Sequence, residues 1–215
     1  MSSYNIKPIH WLGHASFRLQ VEGMVIYLDP WQLGEGNPPA DLILITHEHH
    51  DHCSPQDVAK IQSDGTFIVT IKSCAQVLDG NIHIVKPGDQ LNLKGVDIQA
   101  VPAYNVNKFR SPGVPFHPKE KKYVGFILAL DGQRIYHAGD TDVIPEMETY
   151  NVDIALLPVS GTYVMTVDEA LQAGEIIQPK VIVPMHIGRG IGAIKDAETF
   201  KERSAIPVEV LPFEG

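Results

Sequence analysis

The chain has 215 residues, of which 44% are hydrophobic, and this length and composition fit one domain with a sizeable core. The formal net charge of −9 argues against nucleic acid or an anionic membrane as the main partner. Two cysteines, no apolar leader and no run of about 18 apolar residues favour a cytoplasmic protein without a membrane span. We predict a single domain over residues 1–215 that acts on a small molecule, with a homo-oligomer left open.

Short β-rich runs alternate with helical segments along the chain, a pattern typical of α/β proteins. We predict strands over residues 4–12, 15–23, 24–30, 41–46, 66–71, 96–104, 123–130, 133–139, 152–159, 180–185 and 206–212. We predict helices after Ser54-Pro55, over 73–78, from a capping box at Thr166 to Pro179, and near 196–203.

Polar or ligating side chains follow five of the predicted strands. They are Asp29, His47, Asn105, Asp140 and His186. Because sites in open α/β sheets form outside the carboxyl ends of strands, we expect these groups to share one pocket. Asp and Asn are also common in ordinary turns, so the prediction depends most on the two histidines.

Residues 47–52 read His-Glu-His-His-Asp-His, directly after an apolar run. Strand alternation places His47 and His49 on one side, within reach of a single ion. A turn after them lets Asp51 and His52 address a second point. Nitrogen and carboxylate donors without thiolate suit zinc, and also manganese or iron. A solvated polar loop is the alternative, but four histidines together rarely serve packing alone.

Three motifs occur in the order "THEHHDH", "HAGDTD" and "PMHIG", after an opening "WLGHASF" and before the chain end. With them the chain resembles the metallo-β-lactamase superfamily, in particular a branch of small metal-dependent hydrolases similar to ascorbate-6-phosphate lactonase-like proteins. The resemblance covers essentially the whole chain and implies an α/β fold, a four-layer αββα sandwich of two mixed sheets covered by helices. True β-lactamases are less similar, because no ligand cysteine occurs late in the chain.

The resemblance implies a dinuclear site for two divalent metal ions, with Zn²⁺ expected and Mn²⁺ or Fe²⁺ as alternatives. The implied ligands are His47 and His49 for the first ion, Asp51, His52 and His186 for the second, and Asp140 as the bridge. Asp51 and Asp140 are also the expected catalytic residues, accepting or relaying a proton while a metal-bound hydroxide attacks the substrate.

One position departs from the family pattern. Relatives supply a further histidine to the first ion where this chain has Asn105. Either Asn105 coordinates through its oxygen, or another residue replaces it, with His117 the best substitute, or that ion binds weakly.

Supporting roles are expected for several further residues. His14 is expected in the pocket, with a turn histidine as the alternative. Asp29 is expected to orient a ligand, and His137 either orients one or packs in the core.

The proline-rich segment 102–122 carries five basic residues and one acidic residue, which indicates a lid or binding loop. We expect Lys108 and Arg110, with Arg189 after the last motif, to bind an anionic substrate. A solvated charged loop is the alternative.

The function predicted from these features is metal-dependent hydrolysis of a small anionic ester, lactone or amide. A phosphodiesterase or nuclease is the first alternative, although the chain leaves no room for the clamp insertion of nucleolytic relatives. A non-catalytic metal-binding scaffold is the second, which the asparagine at position 105 keeps open.

Overall fold

A computed structural model of the chain describes residues 4–21 and 23–215. Fourteen strands are found in this part of the chain: β1 (Ile9–Gly13), β2 (Ser16–Val21), β3 (Met24–Leu28), β4 (Leu42–Ile45), β5 (Phe67–Thr70), β6 (Asn81–Ile84), β7 (Gln90–Leu93), β8 (Val96–Pro102), β9 (Phe109–Ser111), β10 (Val114–Pro115), β11 (Val124–Leu130), β12 (Gln133–His137), β13 (Ile154–Pro158) and β14 (Val181–Met185). The α-helices are α1 (Pro55–Ile61), α2 (Val167–Ile177) and α3 (Ile194–Arg203). Single 3₁₀ turns lie at Cys74–Gln76, Lys119–Lys121 and Pro145–Thr149.

Two six-stranded mixed sheets form the body of the fold. The first runs β1 to β6 in chain order, antiparallel as far as β3 and parallel from β3 onward. The second has the order β14-β13-β12-β11-β8-β7, parallel from β12 to β14 and antiparallel elsewhere. Two mixed sheets with three α-helices in the described residues match the sandwich predicted from the sequence. None of these helices has the length and apolar character needed to cross a membrane.

The parallel strands supply much of the core. Every residue of β4, β13 and β14 is buried, as expected for parallel strands covered on both faces. Large side chains fill the space around them, including the fully buried Phe17, Tyr27, Phe126 and Phe200. This rigid base sets the positions of the loops that follow the strands.

The sequence predictions fail at the periphery. The strands β6, β7, β9 and β10 were not predicted, because they are short and partly exposed and give no clear apolar alternation. The strand predicted over 206–212 is wrong, since only an isolated bridge joins Val208 to Ile182. Two prolines in that segment lack the N–H that a ladder needs. Residues 1–3 of the predicted domain and Glu22 of the predicted strand 15–23 lie outside the described residues.

Residues 102–122, hereafter the flap, fold back through the small β9–β10 hairpin and are anchored at their base. Asp142 accepts hydrogen bonds from the backbone N–H groups of Val106 (2.7 Å) and Asn107 (2.9 Å). Lys108 Nζ lies 2.8 and 2.7 Å from the two carboxylate oxygens of Glu169. Glu169 also forms the capping box with Thr166 at the start of α2. One carboxylate therefore joins the flap to a helix.

The Glu169 contacts predict a pH-dependent contribution to stability. Burial alone would raise the pKa of Glu169, but Lys108 and the Thr166 N–H lower it from 4.5 to about 2. A depressed folded-state pKa contributes stability that is present above pH 4.5 and is lost as the pH falls toward 2. We expect Glu169→Gln to cost about 1–2 kcal/mol at pH 7, and this difference to shrink between pH 4.5 and pH 3.

Urea unfolding of both proteins across this pH range measures the difference. Glu175→Gln is the matched control, because Glu175 is exposed on the same helix and should change the stability by less than about 0.5 kcal/mol. A Glu169 effect that stays constant with pH would contradict the assignment.

Candidate metal centre

A first cluster of four donors forms where β4, β12 and the flap meet. It consists of His47, His49, His117 and Asp140, whose ligand atoms all lie within 4.8 Å of one another. His49 Nδ1 is 3.1 Å from His47 Nε2 and 3.2 Å from His117 Nε2. His117 Nε2 is also 3.2 Å from Asp140 Oδ2. The flap thus supplies one of the three imidazoles.

A second cluster lies beside it and contains His14, Asp51, His52 and His186. His14 Nε2 is 3.1 Å from Asp51 Oδ2, and His52 Nε2 is 3.9 Å from the same oxygen. The Asp140 carboxylate reaches this cluster too, with Oδ1 3.2 Å from His52 Nε2 and Oδ2 3.2 Å from His186 Nε2. Asp140 therefore stands between the two groups of donors.

The unpaired atoms of these clusters fit metal ions. His14 Nδ1, His52 Nε2, His186 Nε2 and Asp140 Oδ1 are buried without a hydrogen-bond partner among the described residues. Leaving such groups unpaired is costly, and a cation between them removes the cost. Nitrogen ligands of a tetrahedral zinc ion lie about 3.3 Å apart, which agrees with the nitrogen separations in the first cluster.

The pKa shifts of the histidines in the two clusters also suit metal binding. Burial lowers the pKa of His14 and of His49 to about 4, so both rings are neutral at pH 7 and offer lone pairs. Burial opposes a charge on His52, but the Asp140 and Asp29 carboxylates raise its pKa well above the ordinary value. Because ligands must be deprotonated to bind a metal ion, the affinity of such a site rises with pH.

A second layer of hydrogen bonds orients the rings. The Nδ1 atoms of four histidines each meet an oxygen, and the pairs are His47 with Thr46 (2.9 Å), His52 with Asp29 (2.7 Å), His117 with Asn105 (2.8 Å) and His186 with Ser160 (3.0 Å). These contacts place a proton on each Nδ1 and turn the Nε2 lone pair toward the clusters. Asp29 is held in turn by the Thr46 N–H (2.8 Å).

The alternatives at position 105 are separated by this geometry. Asn105 Oδ1 accepts hydrogen bonds from the backbone and the ring of His117, both at 2.8 Å. Its Nδ2 donates to Asp142 (3.1 Å) and to the carbonyl of Tyr163 (3.0 Å). Asn105 thus orients His117, and His117 is the residue that the structure brings into the first cluster.

The remaining expected site residues divide into two groups. His14 lies in the second cluster, whereas His137 does not contact either cluster. The ring of His137 donates from Nε2 to the Ala15 carbonyl (2.9 Å) and packs edge-on to Phe17, so it joins the two sheets in the core.

Three cations were expected to bind substrate, and each has another contact in the structure. Lys108 is paired with Glu169, as described above. Arg189 donates to the backbone carbonyls of Leu12 (3.2 Å) and Gln32 (3.0 Å), which holds the turn that carries His14. The guanidinium group of Arg110 lies over the aromatic ring of Phe116 in the flap, with the guanidinium carbon 5.5 Å from the ring centroid. None of the three lines the cavity over the clusters.

That cavity has a volume of about 370 Å³. It is lined by His49, His50, Asp51, Phe116, His117, Asp140, Thr162, Tyr163, Gly190, Ile191 and Gly192. The aromatic and aliphatic members were not recognised from the sequence, because they lie in loops without periodicity.

Tyr123, also missed, supports the first cluster from beneath. Its buried ring is 5.1 Å from that of His47, and its hydroxyl donates to Glu48 (2.8 Å). Its position directly before β11 was the only available signal.

Gly192 gives a sharp test of the second cluster. Its φ is +67°, and a Cβ there would lie 2.5 Å from Ser160 Cβ and 2.8 Å from the His186 carbonyl oxygen. Gly192→Ala should therefore displace Ser160 and His186 and lower the affinity of the second cluster for a divalent ion. Metal analysis after dialysis, together with thermal unfolding, measures both effects.

Gly190→Ala is the matched control, since Gly190 has φ +85° and open space around its Cα. That variant should cost about 1–2 kcal/mol of backbone strain and bind metal like the unaltered protein. Equal metal binding by the two variants would show that His186 tolerates the displacement.

Comparison with known proteins agrees with the fold. Residues 8–186 match the model of the beta-lactamase superfamily domain. A UPF0173 metal-dependent hydrolase of Methanopyrus kandleri is 32% identical, over 96% of this chain and 96% of that protein. A solved structure of a proposed metal-dependent hydrolase from Parabacteroides distasonis is 34% identical with a TM-score of 0.82, over 96% of this chain and 93% of that one.

Igni18, a metallo hydrolase from Ignicoccus hospitalis, is 27% identical with a TM-score of 0.73, over 96% of this chain and 95% of that one. The predicted metallo-β-lactamase fold is confirmed by these matches. The chain belongs to the beta-lactamase superfamily and, within it, to the UPF0173 family of metal-dependent hydrolases.

Proposed function

We propose that this chain hydrolyses a small carboxylic ester, lactone or amide with two divalent ions, of which zinc suits the donors best and manganese or iron would also fit. The observation that carries the proposal is the pair of four-residue clusters that meet at the Asp140 carboxylate. His47, His49 and His117 would hold the first ion, while Asp51, His52 and His186 would hold the second with His14 beside them. Asp140 would contact both.

When bound, the two ions lower the pKa of a water molecule toward neutrality and polarise the carbonyl group to be attacked. Asp51 lines the cavity and would take the proton of that water. Burial would raise the pKa of Asp51, but its hydrogen bond to His14 and the neighbouring His52 hold the pKa well below the ordinary range, so the group is a carboxylate. Water oxygen adds to the carbonyl carbon, the bond to the leaving alkoxide or amine breaks, and the proton passes to the leaving group.

The size and charge of the site favour a small carbonyl substrate over a nucleic acid. The cavity of about 370 Å³ suits a small molecule, whereas a polynucleotide needs a long basic surface. The chain carries a net charge of −9, and the basic residues Lys108, Lys119 and Lys121 are engaged by glutamates. A short phosphodiester is retained as the second substrate class in the test.

The first test loads the protein with Zn²⁺ or Mn²⁺ and assays a panel of lactones and carboxylic esters beside bis(p-nitrophenyl) phosphate. We expect metal-dependent opening of a carboxyl substrate, and a loss of at least about 10³-fold in kcat/KM for His49→Ala and Asp140→Ala, because each removes a donor. His83→Ala is the control, since His83 lies on β6, outside both clusters, and packs against Phe67 of β5. Retained turnover in both site variants would exclude the mechanism, and cleavage of the diester alone would make the protein a phosphodiesterase.

The assignment of His117 is tested by metal stoichiometry. We expect the unaltered protein to bind two ions and His117→Ala to bind the first much more weakly, because one of three imidazoles is lost. Asn105→Ala should weaken the same ion by only about 10- to 100-fold, since it removes an orienting contact. Calorimetric titration and metal analysis measure both, and a larger effect of Asn105→Ala than of His117→Ala would reverse the two roles.

A further inference from the structure

The part of the cavity that is not made of metal ligands is mainly apolar. Phe116 from the flap and Tyr163 from the loop after β13 pack with ring centroids 4.5 Å apart and planes tilted by 57°. Ile191, two glycines, Thr162 and His50 complete the lining. Hereafter Phe116, Tyr163 and Ile191 are the apolar wall. It lies in the same cavity as His49, His117 and Asp140, so a substrate reacting there must touch it.

The apolar wall is held in a set position relative to the reacting atoms. Tyr163 has φ +66°, a conformation uncommon for a bulky residue, and its carbonyl accepts a hydrogen bond from Asn105 Nδ2 (3.0 Å). The same Asn105 orients His117 through its oxygen (2.8 Å). One side chain thus joins the apolar wall to the first cluster, which is how a binding surface is kept in register with the chemistry.

No lysine or arginine of the described residues lines this cavity. Lys108, Arg110 and Arg189, the cations expected to bind substrate, have the other contacts described above. Any attraction for an anionic tail would have to come from the bound ions, which are occupied with the reacting group. The net charge of −9 adds long-range repulsion of anions.

Exposed apolar side chains also lie on the flap, which carries Phe116, and on the loop that carries Tyr163. Val106, Phe109 and Val114 of the flap are 49%, 48% and 46% exposed, and Tyr163 is 43% exposed. Four of the eight large apolar side chains exposed in the described residues therefore lie on the flap and the neighbouring loop. Isolated exposed apolar residues are ordinary, but a group beside a cavity marks a binding surface.

We propose that the substrate is a neutral ester or lactone with an apolar alkyl or aryl substituent, which packs on the wall formed by Phe116, Tyr163 and Ile191. This inference rests on the proposed hydrolytic function and replaces the anionic substrate expected from the sequence. The metal-proximal half of the cavity takes the carbonyl group, and the apolar wall takes the substituent. Each methylene buried there should raise kcat/KM by about 3- to 4-fold until the cavity is filled.

The test uses the zinc-loaded protein and two matched series of p-nitrophenyl esters and γ-lactones. One series has alkyl substituents from methyl to hexyl, and the other has the same chains ending in a carboxylate. We expect kcat/KM to rise along the alkyl series and to be at least about 10-fold lower for each carboxylate partner. Equal or faster turnover of the carboxylates, or no dependence on chain length, would overturn the inference.

Variants separate packing from a general loss of activity. Phe116→Ala and Tyr163→Ala should flatten the chain-length dependence while the protein still binds two ions. Tyr163→Phe keeps the ring and should keep the dependence. Ile84→Ala, which removes an exposed apolar side chain on β6, is the control and should change nothing. A dependence unaffected in both alanine variants would place the substituent elsewhere and overturn the inference.

The same assay distinguishes a failure of the proposed function from a failure of the substrate class alone. If the protein binds two ions and hydrolyses neither series, the proposed function fails and this inference fails with it. If it hydrolyses both series but prefers the carboxylates, the proposed function stands and only the substrate class is overturned.

Discussion

The carboxylate of Asp140 is buried and lies 3.2 Å from one imidazole nitrogen each of His52, His117 and His186. These three rings come from the first sheet, the flap and the end of the second sheet. Burying a carboxylate costs several kcal/mol unless positive charge surrounds it, so the fold has to bring these elements together around one point. Burial opposes ionisation, yet His186 and His52 hold the pKa of Asp140 well below its ordinary value. Metal ions, on which this family of hydrolases depends, would supply the same positive charge.

The oxygens that contact Nδ1 of the histidine rings determine which way these rings face. Four histidines turn Nδ1 outward to Thr46, Asp29, Asn105 or Ser160, and so present Nε2 inward. None of these four partners would contact an ion, and each lies on a different strand end or loop. The orientation of the ligand rings is thus set by the residues that hydrogen-bond to them from outside the clusters. Those residues are in turn positioned by the ends of the strands.

The parts of the molecule that were predicted from the sequence are those encoded locally. Buried parallel strands gave continuous apolar runs, and the motif at 47–52 holds its donors within six residues. The structure brings together all five polar groups expected at the strand ends. The strand predicted over 206–212 failed because its apolar residues pack as an irregular segment.

The charges of the flap could not be interpreted locally. Lys108 meets Glu169 across 61 positions of sequence, so the flap looked free and basic in isolation. His117, rather than Asn105, lies in the first cluster because a hairpin folds the chain back over the 12 positions that separate them. Composition can report a charge, but it cannot report the partner that neutralises it.

The place of His117 on the flap has a consequence for how molecules enter and leave. With His117 as a ligand, as proposed above, the flap would not swing away as a lid without breaking the coordination of the first ion. The flap is also anchored by hydrogen bonds to Asp142 and Glu169, so it forms a fixed wall of the cavity. We therefore expect the fixed lining of the cavity, rather than the opening of a lid, to select the molecules that reach the clusters.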